Sequence, residues 1–377
     1  MSYASIDTLQ MVLSETVFSH TKDSKKAAGR SLGTLVELIT YYLLNEWGFI
    51  CDTAIETSLH EYGNKSISHK VEFTLQPVIG EVTVSVPLTS FPITGAKIAK
   101  YTSFFNDDTI NSTARVIDKD LVVKNACILS TAPDKKSNVL AVLDSIDDTK
   151  VHLTLSRQLR KAYAMVECKR VGVENGAKKG PQTIEKAKQG AYVAMTTSSL
   201  QKVWNRDGEL CGLIYEGDTP MVLPYRDLLS RMIYSDTQLV RDFTLSIAVV
   251  SNHGNWFTSD NQNKELKVLA QSYDWLLFLT DNGLATFITD LLLSPTDEYL
   301  PVRNAFLRSY SEDKKHNSFT KSKIDYNAHR LLCRYFHENR ADIENWFNVI
   351  APKHGSLEQL KSDIIHLKEK PWTDILI

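Results

Sequence analysis

The segment from Ser31 to Trp47 has the length of a helix and is apolar nearly all round. A helix without a polar face must be covered on every side, so this one predicts a layered, buried setting. Gly48 closes it, as glycine commonly does at a helix end. Glu37 lies inside this apolar segment, an unusual place for a carboxylate.

A second segment, Phe243–Val250, is strand-like and apolar along its length, as a central strand is. Residues 5–20 read as a helix. Lys70–Leu75 and Glu81–Val86 alternate with period two and read as strands, with Val78-Ile-Gly80 as the turn between them. Ser137–Asp144 reads as a short helix capped by Ser137, Lys150–Leu155 as a strand and Ser156–Lys161 as a polar connection. Ala162–Lys169 and Leu210–Tyr215 read as further strands. Pro181 opens a helix whose Ile184, Ala187, Ala191 and Met195 share one buried face. After Lys264 the chain reads as mostly helical. The order predicts an α/β protein, a mixed central sheet flanked by helices. The expected division is an N-terminal helical part of the core (1–50), a β-rich insertion with a DNA-recognition role (51–135), a catalytic core (136–255) and a helical C-terminal region for DNA binding or dimerisation (256–377).

Composition removes other classes. Of 377 residues, 16 are glycine and 11 proline, too few for a collagenous or largely disordered chain. The five cysteines include no C-x-x-C pair, so no zinc ribbon or disulfide framework is expected, and a reducing cytoplasm is the expected location. The first residues lack the pattern of a signal peptide. Apolar runs such as Trp275–Leu279 are far short of the roughly 18–20 residues that cross a bilayer, so no membrane is expected as a partner. There is no G-x-x-x-x-G-K-[ST], G-x-G-x-x-G or G-x-S-x-G motif.

Chemistry concentrates at Val166-Glu-Cys-Lys-Arg170. Alternation in a strand puts Glu167 and Lys169 on one face, and Ala164, Val166 and Cys168 on the other. A carboxylate there suits a hard cation such as Mg²⁺, and the lysine beside it suits a water or a phosphate. Mg²⁺ usually takes one or two protein carboxylates, so a second acid is needed. Asp148, just before the strand at Lys150, is preferred; Asp147, Asp144 and Asp134 stay open.

An upstream acid, a hairpin and Glu-x-Lys at the end of an apolar strand resemble the PD-(D/E)XK nuclease superfamily, in particular its type II restriction endonucleases. The resemblance covers residues 32–48 and 144–250. It implies a restriction-endonuclease-like core of helix, three strands, helix and strand. It also implies Mg²⁺-dependent hydrolysis of DNA phosphodiester bonds, leaving a 5′-phosphate. Carried over, Glu167 and Lys169 match the Glu-x-Lys half, Asp148 stands for the other metal-binding acid, and Glu37 matches an acidic position in the first helix. The chain departs from the pattern in lacking Pro-Asp at the hairpin. Double-stranded DNA, a homodimeric partner and a cognate DNA methyltransferase are the partners implied. A structure-specific repair or recombination nuclease, or a DNA-binding protein without catalysis, is the alternative.

The formal net charge of −2 hides an uneven distribution. Between Arg157 and Lys188 there are nine Lys and Arg against three Glu; between Phe306 and Arg340, eight against four acids. Such patches contact phosphates. Lys161, Arg170, Lys178, Lys179, Gln182, Lys186 and Lys188 are therefore expected on DNA. Asn252, His253, Asn255, Lys315, His316, Asn317 and Lys321 are of types that read bases, and equally of types that cap helices and turns.

Overall fold

A computed structural model describes residues 6–88, 91–171, 182–235, 238–252, 264–309 and 319–376. Helix α1 (Ile6–Glu15) leads to α2 (Ser24–Glu46). The second helix begins seven residues before the apolar run, because Asp23 caps it by accepting from Lys26 N–H at 3.1 Å.

Two short strands follow, β1 (Thr53–Ile55) and β2 (Phe73–Leu75). The chain then leaves for a second sheet built from β3 (Val78–Pro87), β4 (Cys127–Thr131), β5 (Ser137–Ile146) and β6 (Lys150–Leu159). It returns with β7 (Ala164–Val171), crosses over through α3 (Gln182–Thr197), and continues into β8 (Leu245–Asn252). Helix α4 (Tyr225–Tyr234) lies between α3 and β8; α5 (Lys264–Ser272), β9 (Trp275–Leu279), α6 (Tyr326–Glu338), β10 (Phe347–Ala351) and α7 (Leu357–Lys368) follow.

The central sheet has the order β1-β2-β7-β8-β9-β10. Strands β7, β8 and β9 run parallel, and the other three pairings are antiparallel. The sheet is thus mixed, with helices on both faces. Ala164, Val166 and Cys168 pack with α2, while Met165 packs with Ala191 and Ala194 of α3 and with Tyr273. The all-round apolar character of α2 is explained by this setting: it lies under the sheet and against α1 and α6.

Several local expectations are corrected. Ser137–Asp144 is strand, not helix, because its Val139, Ala141 and Leu143 alternate inward against β6. Val78–Gly80 opens β3 rather than turning, and β6 runs through Ser156 to Leu159 instead of ending at Leu155. Met195 is exposed, and Ala194 takes the buried place on α3. Beyond Lys264 the chain also contributes β9 and β10 to the central sheet. Ile184 and Ala187 lie outside the described side chains. No helix among the described residues is long and apolar enough to cross a membrane.

Helix α6 is fastened to α2 by the buried His329, whose Nδ1 shares a hydrogen bond with the Tyr42 hydroxyl at 2.8 Å. Burial pushes this imidazole from 6.5 down to about 4. A depressed histidine contributes stability above its unfolded value and loses it as pH falls through the folded one. The urea midpoint of the parent should therefore drop more steeply between pH 6.5 and 4 than that of His329→Gln, which keeps an acceptor for Tyr42 but does not titrate.

Candidate active site

Glu167 and Lys169 lie near the end of β7, on the face shared with Met165. Glu167 is buried, 7 % exposed. Its two oxygens are held separately. Oε1 accepts from Lys169 Nζ, and Oε2 accepts from the main-chain N–H of Glu72 at 3.1 Å. The register explains the second bond. Val166 pairs with Phe73, so Glu72 at the head of β2 comes opposite Glu167.

Glu72 sends its own carboxylate to Lys321, whose ammonium also meets Glu37 Oε2 at 3.0 Å and Glu56 Oε1 at 3.2 Å. Helix α2 supplies Glu37, the residue after β1 is Glu56, the residue before β2 is Glu72, and β7 supplies Glu167. Four carboxylates and two ammonium groups therefore form one connected set at one end of the sheet. Cys168, between the two β7 residues, points the other way, and burial pushes its thiol far up, so it stays protonated and unreactive.

Helix α3 closes over Glu167 at Gly190. A Cβ there would stand 2.5 Å from the Tyr273 hydroxyl and 3.2 Å from Glu167 Cγ. Glycine is required for this close approach.

Asp148, expected near Glu167, lies elsewhere. Asp148 lies in the exposed turn joining β5 to β6, in the second sheet, and the structure does not bring it to Glu167. Its neighbours are equally committed elsewhere. Asp147 accepts from Thr149 N–H and Lys150 N–H, both at 2.7 Å, and pairs with His152 at 2.8 Å. Asp144 takes the Thr154 hydroxyl at 2.9 Å, and Asp134 takes Lys136 N–H at 2.9 Å. His152 also meets the Ser85 hydroxyl at 2.9 Å, giving a Ser-His-Asp row. Ser85 is mid-strand opposite His152, so the row fastens a strand pair and presents no nucleophile at a sharp turn.

Glu72 is the acid that the structure places beside Glu167 and that the sequence reading did not single out. Its signal was present: an acid within Lys70–Leu75, a strand recognised from its alternation, soon after the helix carrying Glu37. The hairpin nearest in sequence to β7 was preferred, and that hairpin belongs to the other sheet.

Of the expected DNA contacts, two are turned inward. Lys161 donates to the carbonyls of Phe243 at 2.8 Å and Ala162 at 3.2 Å and to the Thr244 hydroxyl at 2.8 Å, and burial pushes it down to about 8. A buried ammonium must satisfy its donors, and here main-chain carbonyls do so. Lys321 is likewise spent on carboxylates. Lys178, Lys179, His253, Asn255, Lys315, His316 and Asn317 lie outside the described residues, as do the side chains of Arg170, Gln182, Lys186, Lys188 and Asn252.

No family model matches this chain, and comparison with curated proteins and with solved structures yields no significant match. The chemistry of the site therefore rests on its own geometry.

Among the described residues, no three His, Cys, Asp or Glu side chains are set to hold a metal ion together. Magnesium does not need three. It usually takes one or two carboxylates and completes its shell with water and phosphate oxygens. Glu72 and Glu167 carry hard oxygen donors on neighbouring strands, joined by the bond from the Glu72 main-chain N–H to Glu167 Oε2, and each carboxylate is paired with a lysine. This donor set fits Mg²⁺.

Gly190→Ala should cost about 1–3 kcal/mol in urea unfolding, because the added methyl meets the Tyr273 hydroxyl and Glu167 in a packed interior.

Proposed function

We propose that this chain is a Mg²⁺-dependent DNA endonuclease of the restriction type. The observation that carries the reading is the hydrogen bond from the Glu72 main-chain N–H to Glu167 Oε2, which sets the two acids on adjoining strands, with Lys169 on the other oxygen of Glu167. The order α2, β1, β2, β7, α3, β8 supports it, being the helix, three strands, helix and strand that the Glu-x-Lys resemblance implies. Glu37 on α2 joins the same set through Lys321.

In this reading Glu72 and Glu167 hold the cation. When bound, Mg²⁺ supplies positive charge to a phosphate oxygen and lowers the cost of charge building up there. Lys169 serves the attacking water and the phosphate from the opposite side of the Glu167 carboxylate, a donor fixed before the substrate arrives. The sheet beneath is apolar and α3 closes over Glu167 at Gly190, so that carboxylate keeps its place when the phosphodiester docks. The 5′-phosphate product follows from attack by water with the 3′ oxygen leaving.

The test is cleavage of plasmid DNA with Mg²⁺ against EDTA. Glu72→Ala, Glu167→Ala and Lys169→Ala should each lose about 10²–10³-fold in rate, the usual effect of removing a group that stabilises developing charge. Asp148→Ala should cut as the parent does. Equal cutting by the parent and the three site variants sinks the reading. Discrete fragments mark a site-specific enzyme, and cutting confined to forks or junctions marks a structure-specific one.

A further inference from the structure

Lys321 comes from far along the chain, 284 residues after Glu37, and its side chain is only 8 % exposed. It sits on a tight turn closed by Thr320 N–H to Lys323 O at 2.7 Å and Lys323 N–H to Thr320 O at 3.0 Å. The loop after Val122–Val123 fixes that turn from outside: Asn125, buried, donates its side-chain amide to Lys321 O at 3.0 Å and its main-chain N–H to Ser322 O at 3.1 Å. The lysine is therefore presented by the fold, not swung in from solvent.

Its carboxylate partners are also arranged. Glu56 has a φ of 51°, in the left-handed region, a conformation that costs energy for a residue other than glycine. Its N–H donates to the Glu72 carbonyl at 3.0 Å, and the Glu72 N–H donates to Glu167. Main-chain bonds thus tie together the acids that the ammonium neutralises.

We propose that Lys321 is a positioning residue that acts as an internal counter-ion for Glu72, gathering the carboxylates while no divalent cation is bound and competing with that cation for Glu72. This rests on the nuclease reading for its choice of metal ligand. The physical reason is charge. Neighbouring carboxylates repel unless a cation stands among them, most strongly where water is excluded, as at Glu72, whose side chain is 12 % exposed, and least at the exposed Glu56. A carboxylate paired with an ammonium is a poorer ligand, and the ammonium repels a divalent ion placed beside it. A clamp that merely shaped the site would have the opposite effect, since its loss would weaken metal binding.

The experiment is calorimetric titration of the full-length protein with Mn²⁺, without DNA. Lys321→Met should bind Mn²⁺ at least tenfold more tightly than the parent. Asn125→Ala, which loosens the turn and leaves every charge in place, should tighten binding in the same direction by a smaller factor. Lys321→Arg should stay near the parent. Glu72→Gln should remove the binding in each background. If Lys321→Met does not fold, Asn125→Ala decides. Unchanged or weaker Mn²⁺ binding in Lys321→Met or, where that variant does not fold, in Asn125→Ala overturns the proposal, as does a parent and variants that bind no Mn²⁺. Plasmid cleavage separates the two readings. A protein that binds Mn²⁺ in this pattern and leaves DNA intact overturns the nuclease reading alone. One that cleaves DNA while Lys321→Met and Asn125→Ala bind no more tightly overturns the counter-ion alone.

Discussion

Carboxylates brought together at one end of an apolar sheet repel, and the arrangement of this molecule depends on how that repulsion is met. Two lysines meet it. Lys169 is local, two residues from Glu167 on the same strand face. Lys321 is remote, and its placement requires an anchored turn, the buried Asn125 from the loop after Val122–Val123, and a two-residue strand at Ile324–Asp325 that pairs with Val122–Val123. The segment between β2 and β7 is therefore more than an appendage, since it contributes the asparagine that sets Lys321. Asp134, Asp144, Asp147 and Asp148, by contrast, all remain in local turns and cross-strand bonds of the second sheet.

The apolar sheet provides the stiffness that makes such a cluster useful. Strands β7, β8 and β9 are buried on both faces, by α2 and its neighbours on one side and by α3 and α5 on the other. Interiors of this kind are close-packed and change volume poorly. The acids at the sheet end inherit that rigidity through short connections: Glu167 from within β7, Glu72 from the residue before β2, Glu56 from the residue after β1. At Gly190 the helix above comes close enough to touch Glu167 itself.

Much of the layering was legible in the sequence. The all-apolar helix around Glu37, the apolar β8 and the face alternation in β7 each follow from local pattern, and each has one physical meaning. The Glu-x-Lys pair was legible for the same reason. Glu72 was legible as a residue of an alternating segment but not as a neighbour of Glu167, because pairing across the 88 residues from Gln76 through Tyr163 is decided by sheet register, which no local pattern encodes. Lys321 stood out only as one charge in a basic segment. Whether such a charge faces solvent or three carboxylates depends on tertiary packing, and its short polar turn gives no periodic signal. Ser137–Asp144 misled because a serine before an apolar stretch is a helix cap in one context and a strand residue in another.

The distance in sequence between the acids and Lys321 also sets an order of events in the life of each chain. Synthesis delivers Glu37, Glu56, Glu72 and Glu167 well before Lys321, and β9 and β10, which complete the sheet, come from the last hundred or so residues. Domains fold as their segments emerge, and contacts far apart in sequence wait for the later partner. A growing chain thus holds these four carboxylates while lacking one of the two lysines paired with them. The charged cluster forms only once Lys321 has emerged, and a chain cut short before it has Lys169 alone to offset those acids.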